Sequence, residues 1–125
     1  MLNAKWGQNE SKRVCWKSFE FAVRIVNLYK YLVREHKEYT LSKQLLRCGT
    51  SIGANVSEAQ RGQSKADFAA KMNIALKEAN ETQYWLKLLY RTEYLTKNQY
   101  ESLDSDIQEL LGILTAICKS ANATK

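Results

Sequence analysis

Apolar side chains recur along most of this chain at intervals of three and four, the spacing that gathers them on one side of an α-helix. From Lys17 onward, Phe21, Ala22, Ile25, Val26, Leu28, Tyr29, Leu32 and Val33 fall within one half of a helical wheel. Lys17, Arg24, Lys30, Arg34 and Lys37 occupy the other half, with Glu20 and Glu35 as its acids. The pattern predicts a first helix over 17–36, amphipathic and basic along its outer arc. Residues 1–16 show no such period and read as a polar arm, charged at Lys5, Lys12 and Arg13, with Trp6 and Trp16 as candidate anchors.

A second run, Leu41, Leu45, Cys48, Ile52, Asn55/Val56 and Ala59, predicts a helix over 41–61. Thr40 or Ser42 can cap its start, and Gly62 suits a left-handed residue just past its end. Gly49 and Gly53 lie inside this helix, where each glycine costs about 1 kcal/mol relative to alanine. They are expected where a neighbouring helix must come close. Ser64-Lys65-Ala66-Asp67 has the form of a capping box and opens a third helix over 65–94. Its Phe68, Met72, Ala75, Ala79, Thr82, Leu86 and Leu89 step by four and three, and its central alanines are the expected partners of the helix-two glycines. Thr96-Lys97-Asn98-Gln99 repeats the capping form. Leu103, Ile107, Leu110, Leu114 and Ile117 then predict a fourth helix over 97–119, with a tail over 121–125. Four helices with short links within 17–120 predict an all-α, antiparallel up-and-down four-helix bundle.

Composition agrees with that pattern. The 125 residues suit one domain, and a chain with no proline and five glycines lacks the turn residues of a sandwich or barrel. The formal net charge is +6, and residues 1–62 carry all of it, with 11 basic and 5 acidic groups against 8 and 8 in 63–125. Such asymmetry predicts a basic face for an acidic partner, nucleic acid first among them, with an ordinary solvated surface as the alternative. Cys15, Cys48 and Cys118 are odd in number and widely spaced, which indicates neither a disulfide framework nor a zinc site. The start has no apolar leader, and the longest apolar stretch, near Leu110 to Cys118, is far short of the ~18 residues a membrane span needs. A soluble, reducing, cytoplasmic setting is expected.

Candidate chemistry is sparse. No inward Glu-x-x-His pair, phosphate loop or dinucleotide fingerprint occurs, so no enzyme activity, cofactor, metal or small-molecule substrate is expected. His36 is read as a solvated residue in a polar segment, and Glu78 and Glu81 as salt-bridge or interface groups on the side of helix three opposite its heptad. Asn55 is read as a register-setting polar residue near the inward stripe, and Cys48 and Cys118 as small core fillers. Ile74, Trp85 and Leu88 lie together on the outer arc of helix three, and an exposed patch of that kind is costly in a monomer. Self-association would cover it, or the N-terminal arm with Trp6 or Trp16 would. Lys12, Arg13, Lys17, Arg24, Lys30, Arg34, Arg47 and Arg61 are the candidate phosphate-binding residues, with no base-reading motif among them.

The stretch Leu41-Ser42-Lys43-Gln44-Leu45-Leu46-Arg47, with Thr50-Ser51-Ile52-Gly53-Ala54-Asn55-Val56-Ser57-Glu58-Ala59, resembles the "four helix bundle protein" family. So do Ser64-Lys65-Ala66-Asp67-Phe68 and Lys77-Glu78-Ala79-Asn80-Glu81-Thr82-Gln83-Tyr84-Trp85-Leu86. Members are encoded in intervening sequences of bacterial 23S ribosomal RNA genes, and a relative is the accessory variability determinant of diversity-generating retroelements. The likeness spans residues 17–119. It implies a four-helix protomer in a ring-like homopentamer, a basic surface and no known catalytic activity. For the retroelement relative it implies nucleic acid and a reverse transcriptase as partners. Ser51, Asn55 and Glu58 match the family's helix-two signature, and Glu78, Glu81, Tyr84 and Trp85 match that of helix three.

The expected function is therefore a non-enzymatic homo-oligomer, pentameric by resemblance, that binds RNA or DNA through largely sequence-independent phosphate contacts. The alternative is an oligomeric scaffold that recruits a partner such as a reverse transcriptase.

Overall fold

The computed structural model describes residues 7–123, with side chains from Lys12 onward. Among them the fold is all-α: four helices, α1 (Gly7–His36), α2 (Leu41–Ala59), α3 (Lys65–Arg91) and α4 (Lys97–Ala123), and no strand. The expected anchor Trp6 and the end of the expected tail lie outside the described residues.

The periodic stripes become one hydrophobic core. All seven predicted inward residues of α3, Phe68 to Leu89, are buried, as are Leu103, Ile107, Leu110, Leu114 and Ile117 of α4. On α2 the buried residues are Ser42, Leu45, Cys48, Gly49, Ile52, Val56 and Ala59, so Val56 and not Asn55 takes the inward position. The buried hydroxyls each donate to a carbonyl of their own chain segment, Ser18 Oγ to Cys15 O, Ser42 Oγ to Glu38 O and Thr82 Oγ1 to Glu78 O. Among the described residues no desolvated hydroxyl is left unpaired, which is why polar residues are tolerated in the core.

Four expected boundaries are corrected: α2 stops at Ala59 and α3 at Arg91, short of the expected 61 and 94, and the helices at the two ends of the chain are longer than expected. The arm over 1–16 is helical from Gly7, and its Val14 is fully buried. The inward stripe of α1 runs Val14, Ser18, Phe21, Ile25, Leu28, Leu32 in steps of four and three, and the polar Ser18 hides its first half from a hydropathy reading. At the other end α4 continues to Ala123, because Cys118 and Ala121 extend its buried stripe.

The helix-two glycines face a different neighbour from the one expected. A Cβ on Gly49 would stand 2.9 Å from Ile25 Cγ1, and one on Gly53 3.1 Å from the Ser18 carbonyl oxygen, so the close approach is to α1 rather than to the alanines of α3. Gly62 is also not left-handed. Its role is spatial, since a Cβ there would lie 3.1 Å from the Phe68 nitrogen. The left-handed residues are Lys37 (φ 53°) and Glu93 (φ 71°), each just past a helix end. At Glu93 the turn closes through Glu93 N–H to Tyr90 O and Tyr94 N–H to Leu89 O, a Schellman pattern without its usual glycine.

Helix starts are set by side chains close in sequence. Ser64 accepts from Asp67 N–H, and Thr96 and Gln99 form a reciprocal box, Gln99 N–H to Thr96 Oγ1 and Thr96 N–H to Gln99 Oε1. For α2 neither expected cap acts. Glu38 does so instead, its carboxylate accepting from the backbone N–H of Thr40 (3.1 Å), Leu41 (3.0 Å) and Ser42 (2.7 Å).

α1 packs broadly on α2, α2 on α3 and α3 on α4, whereas α1 meets α4 only thinly. Three of the predicted basic residues, Arg13, Lys17 and Arg24, lie along that thin seam.

Candidate nucleic-acid interface

The predicted basic residues are not one free arc. Arg13 Nη2 and Lys17 Nζ both reach Glu109 Oε2, at 3.0 and 3.1 Å. Arg24 binds Asp106 at 2.6 Å and also donates to Ser102 Oγ at 3.0 Å. These residues form a ladder of ion pairs across the α1–α4 seam, beside a cleft of about 210 Å³ that Trp16, Phe21 and Leu110 also line. Lys17 and then Arg13 hold the Glu109 carboxyl below the usual carboxylate range, against the opposing effect of desolvation. Three carboxylates, Glu20, Asp106 and Glu109, line the cleft against two cations, Lys17 and Arg24, so it is a poor receptor for phosphate.

Arg34 pairs with its neighbour Glu35 at 2.8 Å, on the exposed end of α1. Arg47 on α2 reaches Glu78 at 3.4 Å and binds Glu81 on α3, and the Trp85 indole N–H donates to the same Glu81 carboxylate at 3.0 Å. Partial burial opposes the Arg47 charge, yet Glu81 and Glu78 prevail and hold the guanidinium more firmly protonated than usual. Glu78 and Glu81 therefore face α2 rather than open solvent, and Trp85 is half-buried against the core. Five of the eight predicted phosphate-binding residues, Arg13, Lys17, Arg24, Arg34 and Arg47, are thus engaged by carboxylates. Lys12, Lys30 and Arg61 are exposed and make no ion pair among the described residues.

The remaining signature residues have local partners. Asn55 Nδ2 donates to Ser51 O at 2.9 Å and Ser51 Oγ at 3.0 Å, within its own helix, and so links no second helix. Glu58 pairs with Lys71 at 2.7 Å. Tyr84 is 59% exposed and meets the Trp85 ring edge-on at 5.1 Å. His36 ends α1, exposed, with edge contacts to Tyr31 and Tyr94. Burial pushes the thiols of Cys15, Cys48 and Cys118 up, the reverse of an activated nucleophile. No group of three or more His, Cys, Asp or Glu among the described residues could hold a metal ion, and no helix is long and apolar enough to cross a membrane.

α1 also carries an exposed apolar stripe that begins before Lys17. Trp16, Phe19 and Val23 are 63%, 64% and 41% exposed. At 100° per residue they share an arc of about 60° with Lys12, Lys30 and Arg34. The i, i+3, i+7 spacing of these three was available in the sequence, but it falls across the boundary placed at Lys17. On α3, Ile74 is 41% exposed, while its expected companions Trp85 and Leu88 are half-buried.

Four helices around one core, with a basic first half and short capped links, define a class of small all-α proteins. The profile of the 23S rRNA-intervening sequence protein family matches residues 10–116, and the chain belongs to that family. It is also similar to a solved structure, a protein of unknown function from the S23 ribosomal protein family of Bacteroides thetaiotaomicron. The two share 62% sequence identity and superimpose with a TM-score of 0.86 over 88% of this chain and 98% of the other. No curated protein matches the chain.

Proposed function

We propose that this chain is a non-enzymatic, cytoplasmic nucleic-acid-binding protein that acts as a homo-oligomer. The observation that carries the reading is the net +6, confined to the first half of the chain of a family named for 23S rRNA intervening sequences. Its phosphate contacts come first from Lys12, Lys30 and Arg61, which need not leave a carboxylate. The pairs of Arg13, Lys17, Arg24 and Arg34 lie toward solvent, where an ion pair adds little stability, so a phosphate backbone can compete for those side chains at small cost. The protomer is an antiparallel up-and-down bundle in this reading. Support comes from the opposite numerical order of the cross-helix pairs, Arg13 with Glu109 against Arg24 with Asp106, and Arg47 with Glu78 against Glu58 with Lys71.

A closed ring, pentameric by family resemblance, requires each copy to offer two different surfaces. The Trp16–Phe19–Val23 stripe of α1 and the Ile74 side of α3 supply two such surfaces. The same stripe favours a second reading, an oligomeric scaffold that recruits a protein partner such as a reverse transcriptase, with the basic surface serving solubility.

A gel-shift series across salt separates the readings. Binding that weakens steeply as salt rises is expected of the wild type, and Lys12→Glu/Lys30→Glu/Arg61→Glu should weaken it and flatten the salt slope. No shift at low salt, or an unchanged slope in the triple variant, overturns the nucleic-acid reading. Light scattering on Phe19→Glu tests assembly: a folded particle of smaller mass than wild type is expected, and an unchanged mass removes the α1 stripe from the interface.

A further inference from the structure

Between α3 and α4, on a different side of α3 from Ile74 and Trp85, lies an open groove of about 360 Å³. Its walls carry planar rings and unused hydrogen-bond acceptors. Tyr100 is stacked on Tyr90, with centroids 4.5 Å apart and planes within 5°, which fixes the plane of a ring that lines the groove. Tyr84, 59% exposed, lines it as well. Burial, and then the charges of Asp104 and Tyr90, push the Tyr100 phenol up, so it stays protonated. Asp104 Oδ2 accepts from Gln108 Nε2 at 3.2 Å. Its Oδ1 is shielded from solvent and has no partner among the described residues. Asn80 donates its amide to Leu76 O at 3.2 Å, as Gln108 does to Asp104, and in each case the side-chain carbonyl keeps its accepting capacity. Lys87, which makes no ion pair among the described residues, stands in the same wall.

A shielded carboxylate oxygen without a donor is costly in a folded protein. The ligand that answers this site is flat, presents N–H donors along one edge and carries a negative charge for Lys87. We propose that the α3–α4 groove binds a guanine nucleotide, its base against Tyr84 and Tyr100, its phosphate toward Lys87 and its amino edge toward Asp104, whose shielded oxygen turns outward to meet it. Guanine offers two adjacent donors, N1–H and the 2-amino group, whereas uracil has no amino group. A guanidinium side chain from another protein is also flat and rich in donors, drawn by Asp104 and repelled by Lys87, so arginine amide is the nucleotide's rival in the test. The proposal deepens the nucleic-acid reading, because an unpaired guanosine in RNA and a free guanine nucleotide share this chemistry, and within RNA it directs the protein to unpaired segments.

The test follows the side-chain amide signals of Asn80, Gln83 and Gln108 by NMR in the full chain as guanosine 5′-monophosphate, uridine 5′-monophosphate or arginine amide is added. The guanine nucleotide should move these signals with an affinity about tenfold above that of uridine monophosphate. Tyr84→Ala should weaken it about tenfold, in keeping with stacking on one ring. Asp104→Asn, nearly the same shape, should erase the preference over uridine while leaving the amide spectrum of a folded protein. No guanine-dependent shift in the wild type overturns the groove, and so does tighter binding of arginine amide. Anisotropy with a labelled single-stranded, guanosine-containing RNA and its duplex identifies the source. Loss of single-strand but not duplex affinity in Tyr84→Ala places the site on unpaired RNA. Salt-sensitive RNA binding with no guanine shift removes the groove and leaves the phosphate reading standing. A guanine shift with no RNA binding does the reverse, leaving a free-nucleotide site.

Discussion

At Gly53 a single methyl group would stand 3.1 Å from a backbone oxygen of α1, and at Gly112 it would meet nothing within 4 Å. The two glycines have the same intrinsic cost in a helix, so their substitutions should differ in sign. Gly53→Ala forces α1 and α2 apart and should lower the unfolding free energy by about 1–3 kcal/mol. Gly112→Ala removes a flexible residue from an open position and should raise it by about 0.5–1 kcal/mol. Urea denaturation of the two variants measures both. Nothing local to either glycine distinguishes them, because the distinction is made by Ser18, which sits on another helix. The basic residues behave in the same way. Their identities are legible in the sequence, but the carboxylates that occupy Arg13 and Arg24 lie 96 and 82 residues further along, beyond what spacing can disclose.

Among the helices, α3 and α4 were the most legible, because each carries a heptad and a capping box that act within a few residues. α1 was the least, since Ser18 interrupts its apolar stripe and the sequence reading stops there. α2 shows a local signal misread: a helix start flanked by Thr40 and Ser42 is capped by Glu38. Burial works against the charged form of Glu38, but its bonds from the Leu41, Ser42 and Thr40 N–H groups prevail and hold its carboxyl below the usual range. A carboxyl lowered on folding contributes stability that is present above its unfolded pKa of about 4.3 and disappears as pH falls through the lower folded value. Thermal unfolding should therefore show wild type losing stability below about pH 4.3 more steeply than Glu38→Gln. At neutral pH the variant should be about 0.5–2 kcal/mol less stable, the usual range for a lost cap. A variant with the wild-type acid slope would assign that slope to other carboxylates.

At the scale of the whole molecule, the contacts that join α1 to α2, α2 to α3 and α3 to α4 link consecutive helices, whereas the α1–α4 seam joins the most distant parts of the chain. The seam is thin and bridged on its outer side by Glu109 with Arg13 and Lys17 and by Asp106 with Arg24. Consecutive pairing gives the chain a short average loop to close, which favours folding in the microsecond to millisecond range. The order of events follows: neighbouring helices associate first, and the ion-paired seam closes after the rate-limiting step. Arg24→Met should then leave the refolding rate within about twofold and speed unfolding several-fold, as read from the two arms of a denaturant chevron. Added salt should act on the same arm, so that the lifetime of the folded protein, rather than the time it takes to form, is what ionic strength controls.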